Sequence, residues 1–126
     1  MTHIQIFRYR CKNGRPVPAD ENTDTVTPPE ELPDWQCDDD RSIAAIIITQ
    51  NDSTPADTAI TVDTSPGIIK GWKIYQMHTT RLTDGGMIND RQATFHLEHL
   101  EAHERRRIDI LIKGPPGQVQ VNATPR

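Results

Sequence analysis

The sequence predicts a single, mainly β domain, a β-sandwich or barrel-like fold of about six strands. Residues 42–49 form a short, nearly continuous apolar run rich in β-branched side chains, which is typical of a central strand covered on both faces. Several other segments alternate apolar and polar residues with a period of two. Turn signals made of glycine, proline, asparagine and aspartate separate these segments.

The composition indicates that part of the chain lies outside the core. Hydrophobic residues make up 34% of the 126 residues, below the roughly 45–50% usual in globular domains even when glycine is counted. The chain also contains 10 prolines, which cannot donate hydrogen bonds to a helix or a sheet. We therefore predict one domain over 1–126, with a β-rich core over 41–122 and a long, extended, proline-rich acidic segment over 14–40, called the arm below.

The arm contains few large apolar side chains, and Leu32 and Trp35 are its predicted anchors on a partner. Either the arm reaches a neighbouring subunit, or it lies as a loop over its own domain. Cys11 and Cys37 flank most of it. Because no secretion signal is visible, we predict two free thiols, with a disulfide as the alternative.

The N-terminal strand is followed by a turn. Residues 2–11 alternate as an edge strand or a strand solvated on one face does, and the dipeptide Asn13-Gly14 after them is typical of a tight turn. Pro16 and Pro18 remove two hydrogen-bond donors from the segment beyond it. We therefore expect a turn into an extended segment and no full hairpin.

Further strands are predicted after the central one. Residues 57–63 alternate as a half-buried strand, and 68–82 form a longer strand-like stretch in which Gly71 predicts a bulge. Residues 108–113 alternate clearly, and a turn rich in glycine and proline leads to a return strand over 118–122. These segments supply the rest of the predicted sheet.

The segment between these strands is ambiguous. The glycine pair 85–86 is expected to interrupt the chain. As a helix, residues 93–106 place Leu97 and Leu100 on one stripe and contain good helix formers. As a strand, Phe95 and Leu97 alternate with polar neighbours, and the charged residues that follow form a hairpin loop. One short helix is the preferred prediction, and the strand is the alternative.

Three histidines lie close together in this ambiguous segment. On a helix, His96, His99 and His103 would share one face, and neutral imidazoles so arranged can bind zinc. On a strand they would not share a face, and they would form part of a solvated polar surface. Zinc is therefore a prediction that depends on the helix, and no other cofactor is predicted.

A basic run follows the histidines. Arg105, Arg106 and Arg107 form a compact positive cluster that can contact phosphate or an acidic partner. The simpler interpretation is a solvated helix end. The acidic arm of one subunit could dock on the arginines of another, although pairing within one chain explains the same charge pattern.

Several functional classes are disfavoured. The net charge of −4 and the pI of about 5.7 argue against nucleic-acid binding. No apolar run reaches the roughly 20 residues that span a bilayer, and the N-terminus lacks the pattern of a signal peptide. We see neither a nucleophile elbow nor a phosphate-binding glycine loop. We therefore expect a non-enzymatic protein that is intracellular and soluble or part of a virus particle.

Three functions compete on these grounds. The first is a structural or assembly module, for example a capsid-associated or tail-associated subunit, which contacts itself or a larger scaffold through the arm. The second is a small soluble binding or inhibitor protein that captures a ligand or partner. The third is a metal-dependent enzyme that uses the three histidines.

Overall fold

The computed structural model describes residues 2–19, 26–29, 35–51, 56–75, 83–115 and 118–125, and in these ranges the protein consists of β-strands joined by turns. No helix that could cross a membrane occurs there. Nine strands are described: β1 Thr2–Lys12, β2 Arg15–Pro18, β3 Arg41–Gln50, β4 Ala56–Asp63, β5 Ile68–Tyr75, β6 Thr83–Asn89, β7 Gln92–Leu100, β8 Arg105–Lys113 and β9 Gln120–Pro125.

The strands form two antiparallel sheets. Sheet A has the order β2-β1-β3-β8-β5, and sheet B has the order β6-β7-β4-β9. The sheets face each other across one apolar layer, to which both contribute side chains. The predicted mainly β, sandwich-like class is thus confirmed, with nine described strands where about six were expected.

The sandwich core is built by alternate residues of the central strands. In β3 the even-numbered residues Ala44, Ile46 and Ile48 point toward sheet B, where they meet Ile60 of β4 and Phe95 of β7. All five side chains are fully buried. If only these even-numbered residues were apolar, β3 would need to be covered on one face only.

The odd-numbered residues of β3 are apolar as well, as the sequence predicted. Ile43, Ala45 and Ile47 belong to a second buried group on the face of sheet A that points away from sheet B. We call this group the outer cluster, and its other buried members are Phe7, Tyr9, Cys11, Cys37 and Leu111. Because sheet B lies on the opposite side, another part of the chain has to cover this face.

Described residues of the arm cover the outer cluster. Val26 and Trp35 pack against it, and Cys37 is part of it. Cys11 and Cys37 form a disulfide with Cα atoms 5.0 Å apart, so the prediction of free thiols was wrong. That prediction relied on the pattern of the N-terminal residues, whereas the fold brings the two cysteines within bonding distance. We call residues 26–29 and 35–37 the cover.

The first residues of the arm are part of sheet A. β2 pairs with β1 through a tight turn in which Asn13 and Gly14 have φ angles of 53° and 80°. Pro16 and Pro18 are tolerated because, among the described strands, β2 is an edge strand that pairs only with β1. The expectation that the prolines would prevent a full hairpin was therefore wrong.

The preferred helix over 93–106 was also wrong. Its residues form β7, a turn at 101–104 and the start of β8. Ala93, Phe95 and Leu97 alternate into the sandwich core, and this burial outweighs the helix propensity of the charged residues after them. In the turn, the His103 amide donates to the Gln50 carbonyl at 2.7 Å.

The disulfide should stabilise the fold mainly by closing the loop that carries the cover. Its cysteines are 26 residues apart, and a loop of that size corresponds to roughly 3 kcal/mol. We expect the double variant Cys11→Ser/Cys37→Ser to lose about this much free energy of unfolding in urea. Wild-type protein under reducing conditions should match the variant. Equal free energies of unfolding for the oxidised wild type and the variant would contradict a stabilising role of the disulfide.

Candidate functional site

The centre of the outer face of sheet A carries a buried ion pair. Asp109 of β8 is fully buried and lies between Ala45 of β3 and Lys73 of β5 in the sheet register. The Arg107 guanidinium, two residues away on the same face, donates to both carboxylate oxygens of Asp109. Nε lies 2.8 Å from Oδ1 and Nη2 lies 3.3 Å from Oδ2. This two-pronged geometry is the strong form of an arginine–carboxylate contact.

An aromatic ring from the neighbouring strand completes the arrangement. The Tyr75 hydroxyl donates to Asp109 Oδ2 at 3.0 Å. The Tyr75 ring also attracts two cations: Lys73 Nζ lies 4.6 Å and Arg107 Cζ lies 5.1 Å from its centroid. We call Lys73, Tyr75, Arg107 and Asp109 the polar cluster.

The polar cluster is tied to the cover. Arg107 Nη1 donates to the Thr27 carbonyl at 2.6 Å, so one guanidinium bonds both to the sheet and to the segment above it. Pro29, two residues further along the cover, is buried. The side chain of Arg107 is itself only 9% exposed. The arrangement therefore fastens the cover over the outer cluster.

Burial governs the titration of this region. Desolvation raises the pKa of Asp109 above its ordinary value, while the hydrogen bonds from Arg107 and Tyr75 and the positive charges of Arg107 and Lys73 act in the opposite direction. Burial also raises the pKa of Tyr9, which the charge of Arg107 partly offsets. A buried carboxyl of this kind is also what a general acid needs. Here its partners and the contact to Thr27 favour a structural role.

The predicted arginine cluster is divided between different environments. Arg105 is exposed at the start of β8, whereas Arg106 is 1% exposed and Arg107 belongs to the polar cluster. Arg106 Nε lies 3.4 Å from Glu104 Oε2, and both side chains are buried. The prediction that all three arginines bind a partner stays a prediction. The geometry leaves only the Arg105 side chain of the three on the surface.

The predicted metal site depended on a helix, and the three histidines lie instead on β7 and in the turn after it. His96 is half-buried in β7, between the core residues Phe95 and Leu97, and therefore points away from the core. His103 is exposed in the turn after β7. The side chain of His99 lies outside the described part of the structure. Among the described residues, no group of three potential metal ligands is found, and the zinc site stays a prediction.

The two predicted anchors of the arm have different outcomes. Leu32 lies outside the described residues. Trp35 packs on its own sheet, where a Cβ atom on Gly71 would lie 3.2 Å from the indole Nε1. Gly71 sits at a register shift of β5, where the sequence predicted a bulge. The missing side chain at Gly71 thus makes room for the indole, and Trp35 contacts its own domain.

Among the described residues, the large apolar side chains that are exposed lie on β6. Met87 is 44% exposed and Ile88 is 58% exposed. The expected interruption at Gly85-Gly86 was wrong, because both glycines lie inside β6. The apolar pair next to the turn signal Asn89-Asp90 was the available hint.

The polar cluster was missed for a different reason. Asp109 alternates with isoleucines in the strand predicted over 108–113, and nothing in that pattern indicates a buried carboxylate. Comparison with protein-family models, curated proteins and solved structures finds no match to this chain.

Trp35 should matter for stability within one chain. We expect Trp35→Ala to lower the free energy of unfolding by about 2 kcal/mol, less than the ~3–5 kcal/mol typical of a fully buried aromatic residue. The oligomeric state in light scattering should not change. Trp35→Phe, which keeps a ring against Gly71, serves as the control and should lose less. A change of native mass without loss of stability would favour the arm as an intermolecular anchor.

Removing the counter-ion of Asp109 should give a pH-dependent loss of stability. We expect Arg107→Met to cost roughly 3 kcal/mol at neutral pH, because an ionised carboxylate remains buried without its partner. Burial already raises the pKa of folded Asp109 above its ordinary value of 3.8. The stability contributed by this group is therefore complete below that value and is lost as the pH rises through the folded pKa.

Loss of Arg107 raises the folded pKa of Asp109 further, so the difference between variant and wild type should grow as the pH rises and shrink in acid. Urea unfolding at a series of pH values measures this difference. Arg105→Met, at an exposed arginine of the same strand, should stay within about 0.5 kcal/mol at every pH. A pH-independent loss for Arg107→Met would show that the ion pair is not its cause.

Proposed function

We propose that this protein is a non-enzymatic assembly module that contacts a second copy of itself through β6. The observation that carries the proposal is the exposure of Met87 and Ile88 on this strand. Large apolar side chains exposed next to each other are typical of protein contacts. This keeps the structural role expected from the sequence and moves the contact from the arm to the sheet edge.

The position of β6 supports this role. It is an edge strand of sheet B, and β7 is its one partner among the described strands. Met87 is in register with Ala93, whose side chain is buried in the sandwich core, yet Met87 itself is exposed. A register shift between Met87 and Asn89 turns Ile88 out of the regular ladder. Such a bulge favours contact through side chains over simple extension of the sheet.

The contacts of the cover also support a contact between copies through β6 and not through the arm. Trp35 and Thr27 contact sheet A of their own chain, and the disulfide fixes Cys37 there. The disulfide also supports a setting in an oxidising environment, such as the surface of a particle or cell, where such bonds persist. A place in a virus particle stays a prediction from architecture.

The proposal is tested by native mass in light scattering over a series of protein concentrations. We expect the intact chain to form a defined oligomer and Ile88→Lys to weaken its association by at least about tenfold, because a charge at an apolar contact has to be desolvated. The matched control is Gln120→Lys, which adds the same charge on β9, the opposite edge strand of sheet B. It should leave the association unchanged.

Two results would count against the proposal. An intact chain that is monomeric at every concentration would exclude self-association through β6. Equal weakening by Ile88→Lys and Gln120→Lys would show that net charge and not the apolar pair controls the association. Thermal unfolding of both variants confirms that they remain folded, which is expected because both positions are exposed.

A further inference from the structure

We propose that the contact between copies extends from β6 of sheet B to β5 of sheet A, and that Trp72 of β5 is its anchor. Among the described strands, β5 is an edge strand of sheet A and β6 is an edge strand of sheet B. The partner is the second copy of this chain, so the inference rests on the proposed function. It adds a second strand to that contact and names the residue that dominates it.

The two edge strands lie on the same side of the sandwich. The Ile69 amide of β5 donates to the carbonyl of Asp90, which follows β6, at 2.8 Å. Trp72 lies three residues from this bond along β5, and Met87 lies three residues from it along β6. Extended strands rise about 3.3 Å per residue, and the two sheets of a sandwich are roughly aligned. Trp72 and Met87 are therefore neighbours along this side.

Trp72 and Ile74 point into the gap between the two sheets. They are in register with Ile110 and Ile108 of β8, which point into the sandwich core. The Trp72 ring meets the ring of Phe95 from β7 edge-on, with centroids 5.5 Å apart. Both β5 side chains pack against the core but remain partly exposed. Each therefore has a part that a neighbouring molecule can contact.

The residues of β6 leave room beside the indole. Phe95, which Trp72 contacts, is in register with Gly85 of β6, a residue without a side chain. The next position of β6 on the same face is Met87, which is in register with the buried Ala93 and is itself exposed. The exposed surface of β6 therefore continues onto β5. We call the four large apolar side chains on this side the apolar rim: Trp72, Ile74, Met87 and Ile88.

The area of a stable contact favours the whole apolar rim over β6 alone. Such contacts bury roughly 800 Å² on each partner, of which two side chains supply only a small part. In a two-fold contact the same patch is used on both copies, so every residue of the apolar rim contributes twice. Tryptophan is also enriched among the residues that dominate binding. Trp72, the largest side chain of the apolar rim, is therefore the expected anchor.

The opposite side of the sandwich, between β1 and β9, serves as a comparison. It also carries partly buried apolar side chains that pack against the core: Ile4, Ile6, Val121 and Ala123. The exposed large apolar residues of the described structure, however, lie on β6. The side between β5 and β6 is therefore the one that fits a second copy.

The fluorescence of Trp72 tests the inference without altering the apolar rim. The chain contains two tryptophans, and Trp35→Phe leaves Trp72 as the single one. We expect the emission of this variant to move to shorter wavelength as its concentration rises through the range in which light scattering shows association. The acrylamide quenching constant should fall about twofold over the same range, because the core of an interface excludes solvent.

The matched control is the double variant Trp35→Phe/Ile88→Lys, in which the emission change should move to concentrations at least about tenfold higher. Association without any change in Trp72 emission or quenching would overturn this inference and leave the contact through β6 intact. An emission change that Ile88→Lys does not move would assign Trp72 to a different contact and also overturn it. A chain that is monomeric at every concentration would overturn the proposed function as well.

A second variant measures the weight of the indole. Trp72→Phe keeps an aromatic ring against Phe95 and removes the outer part of the side chain. We expect it to weaken association about tenfold. Trp35→Phe, the same substitution on the outer face of sheet A, should leave association unchanged. Thermal unfolding shows that both variants are folded, and wild-type association of Trp72→Phe would refute its role as the anchor.

Discussion

The structure depends on one constraint: β3 is apolar on both faces, so it has to be covered twice. Sheet B covers the even-numbered side chains, as in any sandwich. The odd-numbered side chains would face water if the chain supplied nothing else. Their exposure would be unfavourable, because the hydrophobic effect acts on both faces alike. The cover and its disulfide meet this second requirement. The cover therefore has a structural purpose that the low apolar content of the arm as a whole conceals.

The cover is held by polar contacts as well as apolar ones, and this combination has a cost and a benefit. A buried ion pair loses hydration, and the attraction between its two charges only partly compensates for the free-energy cost of that loss. In return, Arg107 has one arrangement in which it contacts both Asp109 and Thr27, so the position of the cover is specified. Apolar contacts from Val26 and Trp35 alone would tolerate sliding along the sheet.

Local pattern was sufficient to predict some elements and insufficient for others. The central strand, the bulge at Gly71 and the overall β class follow from side-chain alternation and burial, which are properties of neighbouring residues. The strand over 92–100 was harder to predict, because its residues have a strong local preference for a helix. Only packing against the opposite sheet overrides that preference. The disulfide, the pairing of Asp109 with Tyr75 and the apolar rim shared by β5 and β6 depend on residues brought together from distant parts of the chain. Alternation carries no information about such encounters.

The order of the strands along the chain has a consequence for synthesis. β1 and the cover precede β3, so the outer face of the nascent sheet can be covered as soon as β3 has emerged. Its partner β8 and every strand of sheet B come later in the chain. Until they arrive, a long isoleucine-rich strand has one unprotected face and one unpaired edge, which favours aggregation. Pairings between strands so distant in sequence also form slowly. The nascent protein is therefore most vulnerable between the emergence of β3 and that of β8, and a chaperone that binds extended apolar segments would act in this interval.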